Sequence, residues 1–179
     1  MSDGHGADCG CAASTASQST TQTLGELEWE RGIWNAALNG ETGRVRAMLE
    51  RDRALRDARD GSGYTALHYA ARAGNAEVVA LLLGAGAEPN ATTCSGGASP
   101  LHRAAYMGRE ECVDMLLREK LFLNRFKEDF VPSVISGHGA DPLLEDCDGK
   151  TALQKAIERG HERVANIIKA AAPTNGKTA

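Results

Sequence analysis

Glycine recurs at a fixed interval in this chain. Gly40, Gly74 and Gly108 each lie 34 residues after the last, and the residues around them recur with them. The stretch "TALHYAARAGNAEVVALLLGAGAEPN" from Thr65, shifted by one period, meets "SPLHRAAYMGREECVDMLLR" from Ser99. Shifted back, it meets "RGIWNAALNGETGRVRAMLE" from Arg31. A fourth copy, "TALQKAIERGHERVANIIKA", starts at Thr151 and carries Gly160. Self-similarity at this period marks a stack of small supersecondary units, none of which can bury its apolar face alone.

Each copy reads as two short helices. Thr65, Ser99 and Thr151 are N-cap types, and Pro100 stands where a missing N–H costs nothing. The pairs Ala36–Ala37, Ala70–Ala71 and Ala104–Ala105 let neighbouring helices approach closely. Gly74, Gly108 and Gly160 are structural positions that end the first helix at positive φ. The second helix supplies the apolar stripe, Val78, Val79, Leu81, Leu82 and Leu83 in the second copy, and Gly86 ends it. The end copies are expected to be polar caps, with Asn166 and Lys169 interrupting the last stripe.

At 179 residues and 42% hydrophobic content the chain suits one folded domain, and with 4% aromatics its core must rest on aliphatic residues. A net charge of −4 disfavours broad nucleic-acid binding. No apolar run approaches the ~20 residues of a membrane span. The first residues, "MSDGHGADCGCAAST", lack the basic flank and apolar centre of a secretory signal. With five scattered cysteines, that implies a reducing compartment, the cytoplasm or nucleus. Residues 1–24 and 173–179 are too polar to offset their ordering entropy and read as tails.

"GYTALHYAARAGNAEVVALLLGAGAEPN", with its companion copies, resembles the ankyrin-repeat consensus over roughly residues 29–172. The resemblance implies an all-α ankyrin-repeat solenoid of four helix–turn–helix repeats near 29–60, 61–94, 95–147 and 148–172, within a domain spanning 25–172. The first repeat is degenerate, since Arg31 and Trp34 replace the Thr or Ser and the His found in the next two copies. It further implies a non-catalytic, monomeric module whose partner is a protein, with no cofactor, nucleic acid or membrane. In this family partners usually bind a concave face of loop tips and first helices.

Carried onto matching positions, the loop tips offer Arg59, Ser62, Tyr64, Thr93, Ala98, Glu145, Asp148 and Lys150. The first helices offer Asn39, Arg72, Ala73, Tyr106, Met107, Glu158 and Arg159. Those taken as partner-binding are Arg59, Tyr64, Arg72, Thr93, Tyr106, Met107, Lys150, Glu158 and Arg159. Tyr, Met and Arg are types enriched at interface centres. The alternative is that these are simply exposed positions of a repeat.

His68 and His102 recur three residues after the N-cap, and recurrence at the repeat period points to architecture rather than catalysis. No Ser-His-Asp set, paired carboxylate or phosphate-binding glycine loop stands out. His5, Cys9 and Cys11 are weak candidates for a soft metal, short of a fourth ligand. They carry the rival reading, a metal-binding or thiol-redox protein working through its N-terminal tail. "NAT" at Asn90 matches a glycosylation sequon, without meaning outside the secretory route.

From Gly108 to Gly160 the spacing is 52 rather than 34. Removing residues 119–137, "EKLFLNRFKEDFVPSVISG", restores 33 and joins "CVDMLLR" to "HGADPLLEDCDGKTAL", with Gly139 in the helix-ending place of Gly86. This insertion holds all three phenylalanines and has three readings. Phe122, Phe126, Phe130 and Val134 recur as one stripe of an extra helix. Pro132 and Gly137 suit a loop instead. Or the segment is a retained intron: Arg118-Glu119-Lys120 and Ile135-Ser136-Gly137 are codable with donor-like GTGAG and acceptor-like TTTCAG, in frame.

Overall fold

The computed structural model describes residues 32–117 and 139–172. The two tails, the insertion 119–137 and the candidate ligands His5, Cys9 and Cys11 lie outside the described residues.

Among the described residues eight α-helices follow one another in four pairs. They are α1 Ile33–Asn39 with α2 Thr42–Arg51, α3 Ala66–Ala73 with α4 Ala76–Gly84, α5 Pro100–Tyr106 with α6 Glu110–Leu117, and α7 Ala152–Glu158 with α8 Glu162–Ala171. A 3₁₀ turn, Arg53–Asp57, follows α2. First helices pack in order, α1 on α3 on α5 on α7, and second helices form a parallel row, α2 on α4 on α6 on α8. The fold is therefore an all-helical solenoid of two layers.

The helices stack closely because the facing residues are small. Ala36, Ala37, Ala70, Ala71, Ala104 and Ala105 are fully buried between neighbouring first helices. Between the layers lie Val78, Val79 and Leu82, then Cys112, Val113 and Leu116, then Val164, Ala165 and Ile168. Each buried Leu, Val or Ile contributes about 1.5–3 kcal/mol by leaving water.

Glycine at the first helix end is doubly required. Gly40, Gly74, Gly108 and Gly160 lie at φ of 74°, 92°, 69° and 72°, in the left-handed region. In the first three a side chain from the next repeat also closes over the bare Cα. A Cβ on Gly74 would meet the Arg109 side chain at 2.8 Å, and one on Gly108 would meet the His161 ring at 2.7 Å. Asn75 covers Gly40 and donates from Nδ2 to the Ala37 and Leu38 carbonyls, both at 2.8 Å. Arg109 donates from Nε to Arg72 O at 3.3 Å, and His161 Nε2 lies 3.2 Å from Tyr106 O. One position thus satisfies helix-end carbonyls across every junction.

The chain leaves the described region at Leu117 and resumes at Gly139 beside it, where a Cβ would lie 3.0 Å from Leu117 O. Ala140 N donates to Leu116 O at 2.8 Å, matching the Ala87 N bond to Leu82 O at 3.0 Å one repeat earlier. The next latch matches as well. Asp57 Oδ1 accepts from Glu88 N, and Asn90 Oδ1 accepts from Asp141 N at 2.8 Å. The third and fourth helix pairs pack as the second and third do.

The last repeat departs from the expected polar cap at two places. Ile157 stands where Ala37, Ala71 and Ala105 are buried, and it is 55% exposed. Leu143 occupies the latch position of Asn90 and is 57% exposed. Asn166 and Lys169 are exposed, and the stripe narrows to Val164, Ala165 and Ile168.

Candidate interaction face

The loops before α3, α5 and α7 share one scaffold. Asp60 Oδ1 accepts from Ser62 N and Tyr64 N, and Asp146 Oδ1 accepts from Asp148 N and Lys150 N. Thr93 takes the same place in the middle loop, its hydroxyl accepting from Ala98 N at 3.2 Å. Successive loops are tied by Cys94 N donating to Ser62 O and Cys147 N donating to Gly96 O.

Histidine joins each loop to the helix beside it. The Thr65 N–H donates to His68 Nδ1 at 3.1 Å, so the ring proton sits on Nε2, which reaches Ala98 O in the next loop at 3.0 Å. His102 repeats this with Ser99 N and Lys150 O. Burial pushes His68 down to about 4, against the pull of its Ala98 bond, and lowers His102 as well. Both are neutral, fully bonded rings. In the degenerate first repeat Trp34 holds this position, its indole N–H donating to Ala58 O at 3.0 Å. In the last repeat Gln154 does, accepting from Thr151 N at 2.8 Å.

Beside that position runs a half-buried row of Tyr69, Arg103 and Lys155, one in each of the last three repeats. Tyr69 donates its hydroxyl to Asp60 Oδ2 at 2.5 Å, and burial with this bond raises the phenol above its ordinary range. Lys155 Nζ pairs with Asp146 Oδ2 at 2.7 Å and Asp148 Oδ2 at 3.3 Å. Burial would push Asp146 up, but the ammonium and two backbone N–H groups outweigh it and hold the carboxyl low. The bond to Asp146 raises Lys155 in turn. In the third repeat the loop position of Asp60 and Asp146 is held by Thr93, and Arg103 has no carboxylate partner among the described residues. Its guanidinium lies 4.8 Å over the Tyr64 ring and donates to the Tyr64 hydroxyl, and its Nε is buried without an acceptor among the described residues.

The sequence-predicted residues divide on this frame. Arg72, Tyr106, Met107, Glu158 and Arg159 are exposed at the ends of the first helices, with Tyr106 at 38% and Met107 at 39%. Arg159 lies 3.9 Å over the Tyr106 ring. Arg59 is exposed and donates to Thr92 O at 2.6 Å. Lys150 pairs with Glu158 at 2.5 Å, so those two charges offset each other. Tyr64 is half-buried, 5.4 Å from the Tyr69 ring and edge-on to His68 at 5.5 Å. Thr93 must be corrected: expected at an exposed tip, it is 3% exposed because its hydroxyl closes the loop. Ala98 is buried beside it. Sequence reading passed over Arg103, Tyr69, Asp60 and Asp146, although the first two share the repeat position of Lys155 and lie three residues before Arg72 and Tyr106.

Among the described residues no group of three or more His, Cys, Asp or Glu is placed to hold a metal. No described helix is long and apolar enough to cross a membrane. Cys112 is buried and pushed up to about 11 by that burial, with Glu111 adding to it, which makes it an inert core thiol.

A family model for ankyrin repeats in three copies matches residues 33–127. Ankyrin repeat domain-containing protein 39 of Homo sapiens is 45% identical over 83 residues, 46% of this chain and 45% of that protein. Its counterpart in Bos taurus is 47% identical over 66 residues, 36% of this chain and 35% of that protein. The E3 ubiquitin-protein ligase KEG of Arabidopsis thaliana is 31% identical over 161 residues, 80% of this chain but 10% of the ligase. The chain thus spans less than half the length of the first two relatives.

Proposed function

The chain belongs to the ankyrin-repeat family, and on that premise we propose that it is a non-catalytic adaptor binding a protein partner on its concave face, in the cytoplasm or nucleus. Ankyrin repeats are in general protein–protein interaction modules. The observation that carries the finer reading is the strip of Arg72, Tyr106, Met107 and Arg159. It sets an exposed aromatic and an exposed thioether between two guanidiniums without an acid partner among the described residues. Tyr106 buries large area at little conformational cost, Tyr and Arg are over-represented among interface hot spots, and Met is enriched at interfaces. All four stand on helix ends held by the buried alanines and the covered glycines, so the strip is preorganised.

Affinity capture from cells, followed by measured affinity for the captured partner, tests this. Arg72→Ala and Tyr106→Ala should each weaken that complex by ~1–3 kcal/mol. Equal affinity of both variants and the wild type would exclude this face.

A further inference from the structure

We infer that the concave face takes an acidic peptide segment, with one of its carboxylates seated on Arg103. This rests on the reading of that face as the partner surface and names the chemistry of the partner.

The evidence is a break in the repeat. In the second repeat the loop carboxylate Asp60 engages Tyr69, and in the fourth Asp146 engages Lys155. In the third repeat the loop residue is Thr93, a neutral and buried hydroxyl, and the helix residue at the position of Tyr69 and Lys155 is Arg103. The cation is kept and its acid is missing. Arg103 is half-buried, its Nε has no acceptor among the described residues, and its remaining contacts are the Tyr64 ring and hydroxyl. A partly desolvated guanidinium without a counter-charge is costly and favours an incoming carboxylate, which it binds as a fork.

The surrounding charges point the same way. Arg59, Arg72 and Arg159 make no ion pair among the described residues. Most acids of the loops and first helices are engaged, Asp60 by Tyr69 and its own loop, Asp146 and Asp148 by Lys155, and Glu158 by Lys150; Glu145 alone among the loop tips is exposed without an ion pair among the described residues. This face therefore offers spare cations on a chain whose net charge is −4. That overall negative charge favours a short acidic segment over a nucleic acid, whose long polyanion would meet the rest of the surface. Tyr106 and Met107 beside Arg159 suit an apolar residue next to the acid.

A random dodecapeptide display library panned on the full chain at physiological salt provides the probe. Selected peptides should be enriched in Asp and Glu over the starting library. Thr93→Asp supplies Arg103 with an internal carboxylate in the geometry of Asp146, and should weaken the best acidic peptide about tenfold. Arg103→Gln, should it fold with the wild-type unfolding profile, should do the same, and Arg72→Ala gives a smaller loss at an exposed site. Selected peptides without acidic enrichment would overturn the inference, as would unchanged affinity in Thr93→Asp. A labelled single-stranded oligonucleotide binding more tightly than the best peptide would also overturn it, in favour of nucleic acid. Neutral peptides that are lost on Tyr106→Ala would sink the acidic partner and leave the concave face standing. Peptides and captured partner both indifferent to Tyr106→Ala would sink the face itself.

Discussion

The seam between repeats and the outer face of the first helices are built on the same backbone and obey different rules. Along the seam the same side-chain types return at each period: Ala71 and Ala105, His68 and His102, Leu82 and Leu116. Where the residue changes, the task is kept, as when Trp34 or Gln154 replaces histidine, or when Asn75, Arg109 and His161 cover successive glycines. Four residues after the histidine position the types scatter, to Leu38, Arg72, Tyr106 and Glu158. Stacking constrains the first set, because each member must satisfy its own repeat and the next. Nothing in the stack constrains the second, so its composition is free to serve a partner.

Changes on the seam should therefore cost stability and spare recognition. Leu82→Ala and Leu116→Ala should each lower unfolding free energy by ~2–5 kcal/mol in a urea titration, with no change in affinity per folded molecule. Equal losses at two sites one period apart would sharpen the equivalence of the repeats.

Acid comes next. His68 is held neutral at about 4, against an unfolded value of 6.5. Between those values the unfolded chain binds the proton and the folded chain does not, so stability falls as pH drops from about 6.5 to about 4. The loss from His68 alone is on the order of 3 kcal/mol, and the lowered His102 adds to it. Unfolding midpoints across this window should show the fall, and His68→Ala should flatten it. At neutral pH the same substitution should cost about 1–3 kcal/mol through the stranded Thr65 N–H and Ala98 carbonyl.

The smallest effect is the sharpest for the comparison. Arg72→Ala removes a side chain without an ion pair among the described residues, and thermal unfolding should place it within about 0.5 kcal/mol of wild type.

How far the sequence reads on its own follows from the same division. The period, the Ala pairs and the marker glycines are legible because stacking repeats them, and the 19-residue insertion in the third repeat shows as a break in that period. The face is legible only as positions. Thr93 was misplaced because loop tips are expected outside, and nothing local tells a hydroxyl that closes a turn from one that meets solvent. Arg103 was passed over because its significance lies in the acid it lacks, which shows only once Asp60 and Asp146 are seen bonded in the flanking repeats. Ile157 reads as core by type, and its exposure follows because no further first helix stacks on α7 among the described residues.

The central claim is that the outer face recognises and the seam stabilises. The most direct test is the Arg72→Ala/Tyr106→Ala double variant, followed side by side by urea unfolding and by affinity for the captured partner. An unfolding free energy within about 1 kcal/mol of wild type, with affinity reduced by 2 kcal/mol or more, is the predicted result. Wild-type affinity in that double variant would contradict it.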